Sequence, residues 1–213
     1  MPAERQPRKG ASVDDIVTIL SVGRLVEKKG TDVLLESLAR LPGELHWKLV
    51  HVGGGPLAGE LRQRAVRLGI SNRIEWRGTQ TQTELLSEYR AADIFALASK
   101  VAEDGDRDGL PNVLMEAQTQ SLPCVATDVS AIHELIVTGV TGLLVAPESP
   151  EELARALGSL IVDPARRREL GNAARLRVCA EFGLEGNIAR LAAKFGLPPQ
   201  EGDFSGAKAA SCA

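Results

Sequence analysis

Aromatic residues are scarce in this sequence. Four Phe, two Trp and one Tyr make up 3% of its 213 residues, too few for the row of stacking platforms that a single-strand nucleic-acid binder uses. An excess of one charge is also missing. With 25 Lys and Arg against 28 Asp and Glu the formal net charge is -3, so nothing draws the whole molecule onto a polyanion, and nucleic acid is not an expected partner. No apolar run approaches the roughly 18–20 residues that span a bilayer. The opening MPAERQPRKGASVDDIVTIL puts prolines and charges where a secretory signal needs an apolar stretch. Cys124, Cys179 and Cys212 are widely spaced and form no CxxC pair, so neither a disulfide framework nor a zinc site is expected. A soluble, cytoplasmic protein is expected, and the length of 213 residues suggests one large domain or one and a half.

What the sequence does have is alternation. Short β-branched runs at Ile16–Val22, Trp47–Val52, Arg73–Trp76, Ile94–Ala98, Cys124–Thr127 and Gly142–Val145 are separated by amphipathic helical patterns. That rhythm predicts an α/β fold, a Rossmann-like doubly wound parallel sheet of about six strands. Thr81 with Glu84 and Ser149 with Glu152 have the spacing of a capping box, and Pro150 and Pro164 stand where a first-turn proline loses no needed donor. Three helices near 150–161, 164–181 and 184–195 follow one another without a strand. The expected division is a leader or interdomain linker over 1–15, a domain over 16–196 and a loose tail over 197–213, which is rich in Pro, Gly, Ser and Ala.

Ligands of an open parallel sheet bind beyond the carboxyl ends of its strands, so the loops after the strands carry the functional expectations. After the first comes VGRLVEKKG, in which Gly23 gives a flexible exit and Arg24 and Lys29 can grip a diphosphate, the planar fork beside the point charge. A solvated basic turn is the equal alternative. After the second, Gly53-Gly54-Gly55-Pro56-Leu57-Ala58 has the G-x-G-x-x-G/A spacing of a dinucleotide fingerprint, with Glu75 near the end of the next strand. Pro56 removes one amide donor from that loop, and a plain tight turn explains the glycines as well. The acidic run from Glu103 to Gly109 starts like a calcium loop. Its twelfth position is Met115, with Glu116 one residue late, so no metal is expected. Next, DGLPNVLMEA runs into a helix whose free amides make an anion site. Asp108 and Glu116 flank that helix start, as carboxylates that can accept paired hydrogen bonds from vicinal hydroxyls. His46 and His51 read as strand-associated and structural, and His133 as a site candidate. Arg166-Arg167-Arg168 reads as a solvated helix face, with peripheral contact to acidic lipid at the inner membrane face as its alternative.

Together, VGRLVEKKG (22–30), HVGGGP (51–56), RIEWRG (73–78), DGLPNVLMEA (108–117), SLPCVATDVSAIHELI (121–136) and GVTGLLVAPESPEELARAL (139–157) resemble, in order and spacing, the carboxyl-terminal half of the family 4 (group 1) retaining glycosyltransferases. The wording is nearest to bacterial exopolysaccharide, colanic-acid and lipopolysaccharide transferases, and the likeness covers about residues 16–195. It implies a GT-B enzyme built of two Rossmann-like domains, the second of which binds a nucleotide-activated sugar. On that resemblance Arg24 and Lys29 would neutralise the diphosphate, Glu116 would accept the ribose hydroxyls and Asp108 would hold hydroxyls of the sugar. Gly23, Gly53, Gly55 and Gly78 would line the nucleotide, and the Arg73–Thr79 segment would border the base. The backbone of Gly109, Leu110, Pro111, Asn112 and Val113 would lie against phosphate or sugar.

The resemblance further implies UDP- or GDP-hexose as substrate, no obligatory cofactor or metal, and a glycan or lipid-linked sugar as acceptor. Transfer with retained anomeric configuration is expected. The pattern departs at Asp108, where many relatives have Glu, at Ala131, often Gly, and at His133, often Pro. A GT-B chain also needs an amino-terminal, acceptor-binding domain, and only about fifteen residues precede the first strand here. Half an enzyme is therefore expected, inactive alone. The competing readings are a stand-alone nucleotide-sugar binding or regulatory module and an NAD-type domain using Gly53, Gly55, Ala58 and Glu75.

Overall fold

A computed structural model describes residues 15–182. The leader up to residue 14, the helix expected near 184–195 and the tail lie outside the described residues. Six strands, β1 (Val17–Val22), β2 (Trp47–Val52), β3 (Ile74–Trp76), β4 (Ile94–Leu97), β5 (Cys124–Thr127) and β6 (Gly142–Val145), form one sheet in the order β3-β2-β1-β4-β5-β6. All five neighbouring pairs are parallel. The fold expectation holds, with β1, β3 and β4 each a residue shorter than their apolar runs.

Both faces of the sheet are covered, which is why its strands read as nearly continuous Val, Ile and Leu. On one face Val17, Ile19 and Leu49 join Leu34 and Leu38 of α1 (Thr31–Ala39), Leu61 of α2 (Ala58–Arg67) and Leu157 of α6 (Pro150–Ile161). On the other, Leu20, Val50 and Phe95 join Tyr89 of α3 (Gln82–Ala91), Leu114 of α4 (Asn112–Thr119) and Leu135 of α5 (Ile132–Leu135). Helix α7 (Pro164–Glu181), the last among the described residues, reaches the first cluster through Leu170 and the second through Val178. Strand β5 carries the buried free thiol of Cys124. Cys179 on α7 is disulfide-bonded, which its spacing had given no reason to expect.

The order of the strands locates the site. From β1 the chain moves outward through β2 to β3, then returns to place β4 against the opposite side of β1. The loops leaving β1 and β4 therefore diverge and leave a crevice at the carboxyl edge, the position at which doubly wound sheets bind ligands.

The two expected capping boxes differ in the structure. The Thr81 box forms: Thr81 N donates to Glu84 Oε2 at 2.8 Å, and Glu84 N to Thr81 Oγ1 at 3.4 Å. The Ser149 box does not. Ser149 makes no side-chain cap, and Glu152 instead accepts from Ala146 N, the amide just beyond β6, at 3.0 Å. The Arg166–Arg168 run is not the solvated face expected. Arg166 pairs with Glu169 and donates to Gly139 O, and Arg167 is 5% exposed, donating to Leu160 O at 2.6 Å and Ile161 O at 2.8 Å. Carbonyls at the end of α6 have no intrahelical partner, so a buried guanidinium satisfies them while α7 packs against that end. Only Arg168 of the three remains exposed.

Arg167→Ala removes a buried side chain and uncovers those carbonyls, and is expected to lower stability by about 2–3 kcal/mol. Arg168→Ala is expected to leave it within about 0.5 kcal/mol. Urea midpoints of the two variants check this, and equal midpoints would show that Arg167 does not hold the α6–α7 junction.

Candidate functional site

Main chain lies against main chain at the carboxyl edge. Gly23 N donates to Val52 O at 3.0 Å, Leu25 N to Gly54 O at 2.9 Å, Gly53 N to Gly78 O at 2.7 Å and Leu57 N to Leu25 O at 3.1 Å. These bonds lace the exits of β1, β2 and β3 into one platform. A Cβ at Gly53 would stand 1.9 Å from Gly23 O, and Gly53 has φ +135°, so glycine is required there on both counts. Underneath, His51 is 1% exposed with its ring 5.4 Å from that of Trp76, and neither ring nitrogen has a hydrogen-bond partner among the described residues. Burial pushes its pKa down to about 4, with the Gly23 backbone pulling weakly the other way.

The lacing weakens the dinucleotide reading. The amides of Gly53, Leu57 and Ala58 donate to backbone carbonyls rather than facing an open phosphate cradle. Glu75, needed for a ribose, is held by Lys48 at 2.9 Å and Arg77 at 2.6 Å, and those bonds keep its carboxyl below its ordinary pKa.

Charged groups meet across the crevice. Glu27–Lys29 form one 3-10 turn after β1, closed by Gly30 with φ 57° and packed so that a Cβ would meet Ala98 O at 1.8 Å. The turn is thereby pressed onto the exit of β4. Lys29 passes over Gly23, whose added Cβ would stand 3.4 Å from Lys29 Cδ, and its Nζ lies 2.6 Å from Asp108 Oδ2. Lys28 Nζ is 3.0 Å from Asp106 and 3.6 Å from Asp108 Oδ1. Its hydrogen bond to Asp106 is the main cause of a raised pKa. Glu27 accepts from Glu103 N at 3.1 Å, so the acidic loop is tied to the basic turn throughout. Arg24 is exposed and has no side-chain partner among the described residues.

Directly after Asp108, exposed Gly109 and half-buried Leu110 lead to Pro111, the residue before α4. No side chain caps this helix and its first turn holds no acid, so the amides of Asn112 and Val113 and the positive end of the helix dipole remain for an anion. Glu116, further along α4, accepts a hydrogen bond at 2.9 Å from the buried hydroxyl of Tyr89 on α3.

Of the residues expected at the site, Gly23, Lys29 and Asp108 are in direct contact, and Gly53 and Gly78 are bonded beside them. Gly55 is packed on Leu25, where its Cβ would meet Leu25 O at 2.5 Å. Arg73 does not join them. It precedes β3, at the amino end of the sheet, where it lies 5.1 Å over the Trp47 ring and donates to Leu45 O at 3.2 Å. His133 is exposed and 3.2 Å from Asp128. Lys28 and Tyr89 were not singled out by sequence, although Lys28 stands in the quoted basic turn. Among the described residues no three His, Cys, Asp or Glu side chains gather to hold a metal.

The profile of the family described as "Glycosyl transferases group 1" matches residues 2–177. A GDP-mannose-dependent alpha-(1-6)-phosphatidylinositol monomannoside mannosyltransferase of Mycobacterium tuberculosis is 31% identical over 194 residues, 90% of this chain and 50% of the relative. The crystal structure of Anabaena Alr3699/HepE in complex with UDP and glucose superposes with a TM-score of 0.73 at 25% identity, covering 86% of this chain and 49% of that one. The C-terminal domain of a glycosyl transferase group 1 family protein (LpcC) from Francisella tularensis gives a TM-score of 0.72 at 26% identity, covering 84% of this chain and 94% of that one. The chain spans about half the length of the curated relatives it matches.

The buried His51 makes the platform acid-sensitive. Its folded pKa lies below the unfolded value of about 6.5, so the unfolded chain binds the proton more readily, and stability falls as pH drops from about 6.5 towards 4. Between pH 7.5 and pH 5 this group is expected to cost about 2 kcal/mol. The loss should be missing from His51→Leu in urea unfolding at the two pH values, and an identical slope in both proteins would contradict it.

Proposed function

The chain belongs to the group 1 glycosyltransferases, and on that premise we propose that it is the donor-binding half of a GT-B enzyme transferring a hexose from UDP or GDP to a glycan or lipid-linked acceptor, with retention of configuration. The observation that carries this is the meeting of Lys29 and Asp108 over Gly23, beside the uncapped start of α4, at the switch point of the sheet. A nucleotide-sugar reacts by breaking the bond between its anomeric carbon and the terminal phosphate oxygen, so negative charge grows on the diphosphate. Lys29 and the amides of Asn112 and Val113 stabilise it from positions the fold sets beforehand, which limits reorganisation as the bond breaks, and Arg24 adds a further positive charge. Asp108 leaves Lys29 when the diphosphate arrives and accepts hydroxyls of the sugar, while Glu116 accepts those of the ribose.

Relatives named as GDP-mannose-dependent and a structural neighbour bound to UDP support this donor class and leave two bases to test. The near-complete overlap with an isolated C-terminal domain supports the reading of the chain as that half. The acceptor side, and the wall that excludes water from the reacting carbon, then belong to an amino-terminal partner domain.

Calorimetric titration with UDP, GDP, ADP and NADH is expected to show saturable binding of UDP or GDP without added magnesium, and none of NADH. Arg24→Ala combined with Lys29→Ala is expected to weaken it by about 100-fold, from the loss of two charge-assisted contacts. Unchanged affinity in the double variant, or tighter binding of NADH, would overturn the assignment.

A further inference from the structure

The only tyrosine of the sequence is spent on the proposed site. Tyr89 projects from α3 into the core on the α4 side of the sheet, 1% exposed, with its ring 5.9 Å from that of Phe95. Its hydroxyl is 2.9 Å from Glu116 Oε2 and 3.4 Å from Val113 O, two groups on the first turns of α4. One proton serves one acceptor best, and the nearer one is a carboxylate. Burial, reinforced by the charge of Glu116, raises the phenol far above its ordinary range, so it remains a donor at any working pH. Phe in its place would fill the same volume, so the hydroxyl is not needed for packing. What it adds is a fixed direction for one carboxylate. Glu116 Oε1 has no partner among the described residues and stays available to a ligand.

We propose that Tyr89 is the positioning residue for Glu116, and that this buried phenol, which touches no donor atom itself, sets the preference of the site for a nucleotide with intact ribose hydroxyls. The inference rests on the reading of Glu116 as the ribose acceptor. A freely rotating glutamate must be ordered at each binding event, and the hydrogen bond from Tyr89 removes that cost beforehand. Because Oε2 is engaged from behind, the carboxylate meets vicinal hydroxyls through a defined edge.

The test compares UDP and GDP with their 2′,3′-dideoxy forms on the whole chain, by calorimetry, for the wild type, Tyr89→Phe, Glu116→Ala and the double variant. The wild type should prefer the ribose form by about ten-fold or more. Tyr89→Phe should reduce this preference to about two- to three-fold, leave dideoxynucleotide affinity unchanged and keep a cooperative thermal transition. Glu116→Ala should abolish the preference, and adding Tyr89→Phe to it should change nothing more. If Glu116→Ala abolishes the preference while Tyr89→Phe retains it, or if the two losses multiply, Tyr89 does not position Glu116 and the ribose role stands. Equal loss of both nucleotide forms in Tyr89→Phe would mark a structural residue only. A wild type that binds nucleotide without ribose preference would overturn the role of Glu116 and this proposal with it.

Discussion

Neighbouring loops at the carboxyl edge approach so closely that side chains are excluded between them. Gly53 lies on Gly23, Gly55 on Leu25 and Gly30 on Ala98, with an added Cβ reaching between 1.8 and 2.5 Å from the facing carbonyl. Contacts that short leave no room for Ala, and the backbone bonds formed across them join three strand exits into one rigid surface. The position of every charged group at the crevice depends on that surface. Lys29 runs over Gly23, with its side chain about a van der Waals contact from where a Cβ would stand. The basic turn is set against the β4 exit because Gly30 lets it approach.

The electrostatics of the crevice follow from its shape. Lys28 and Lys29 stand opposite Asp106 and Asp108, and the Lys29–Asp108 pair keeps about one sixth of each side chain exposed. At that depth a lone ammonium would pay for desolvation, so the carboxylate serves as its counterion until a stronger anion is offered. A diphosphate carries more charge and more acceptor oxygens than one carboxylate, and α4 adds amides that Asp108 does not use. The same residues therefore hold the crevice together and, under the proposed function, exchange a carboxylate for a nucleotide-sugar.

How far the sequence could be read depended on how local each signal is. The strands were legible because a sheet buried on both faces demands unbroken apolar runs, and Thr81 with Glu84 because a capping box is complete within four residues. Ser149 and Glu152 have the same spacing, yet Glu152 is drawn to the amide of Ala146, a competitor that only the folded turn presents. The position of Arg73 at the amino end of β3 was not legible, because a three-residue strand gives no sense of which end of the sheet a residue occupies. Arg167 looked like surface because charge in a run normally is, and its burial depends on α7 meeting the end of α6. Tyr89 was hidden among core apolar residues, since nothing in its spacing shows that its hydroxyl ends on Glu116, 27 residues away. The glycine loop satisfied a dinucleotide pattern, yet the fold engages the amides of Gly53, Leu57 and Ala58 in bonds of its own.

Under the proposed function the β1 turn and the start of α4, rather than the glycine loop after β2, receive a nucleoside diphosphate. Amide hydrogen exchange of the chain, with and without saturating UDP or GDP, tests it most directly. Slowed exchange is expected in two stretches, around residues 23–30 and 108–116, with Gly53, Leu57 and Ala58 little changed because their amides are bonded beforehand. Slowing confined to 53–58, or none anywhere at concentrations that saturate binding, would contradict it.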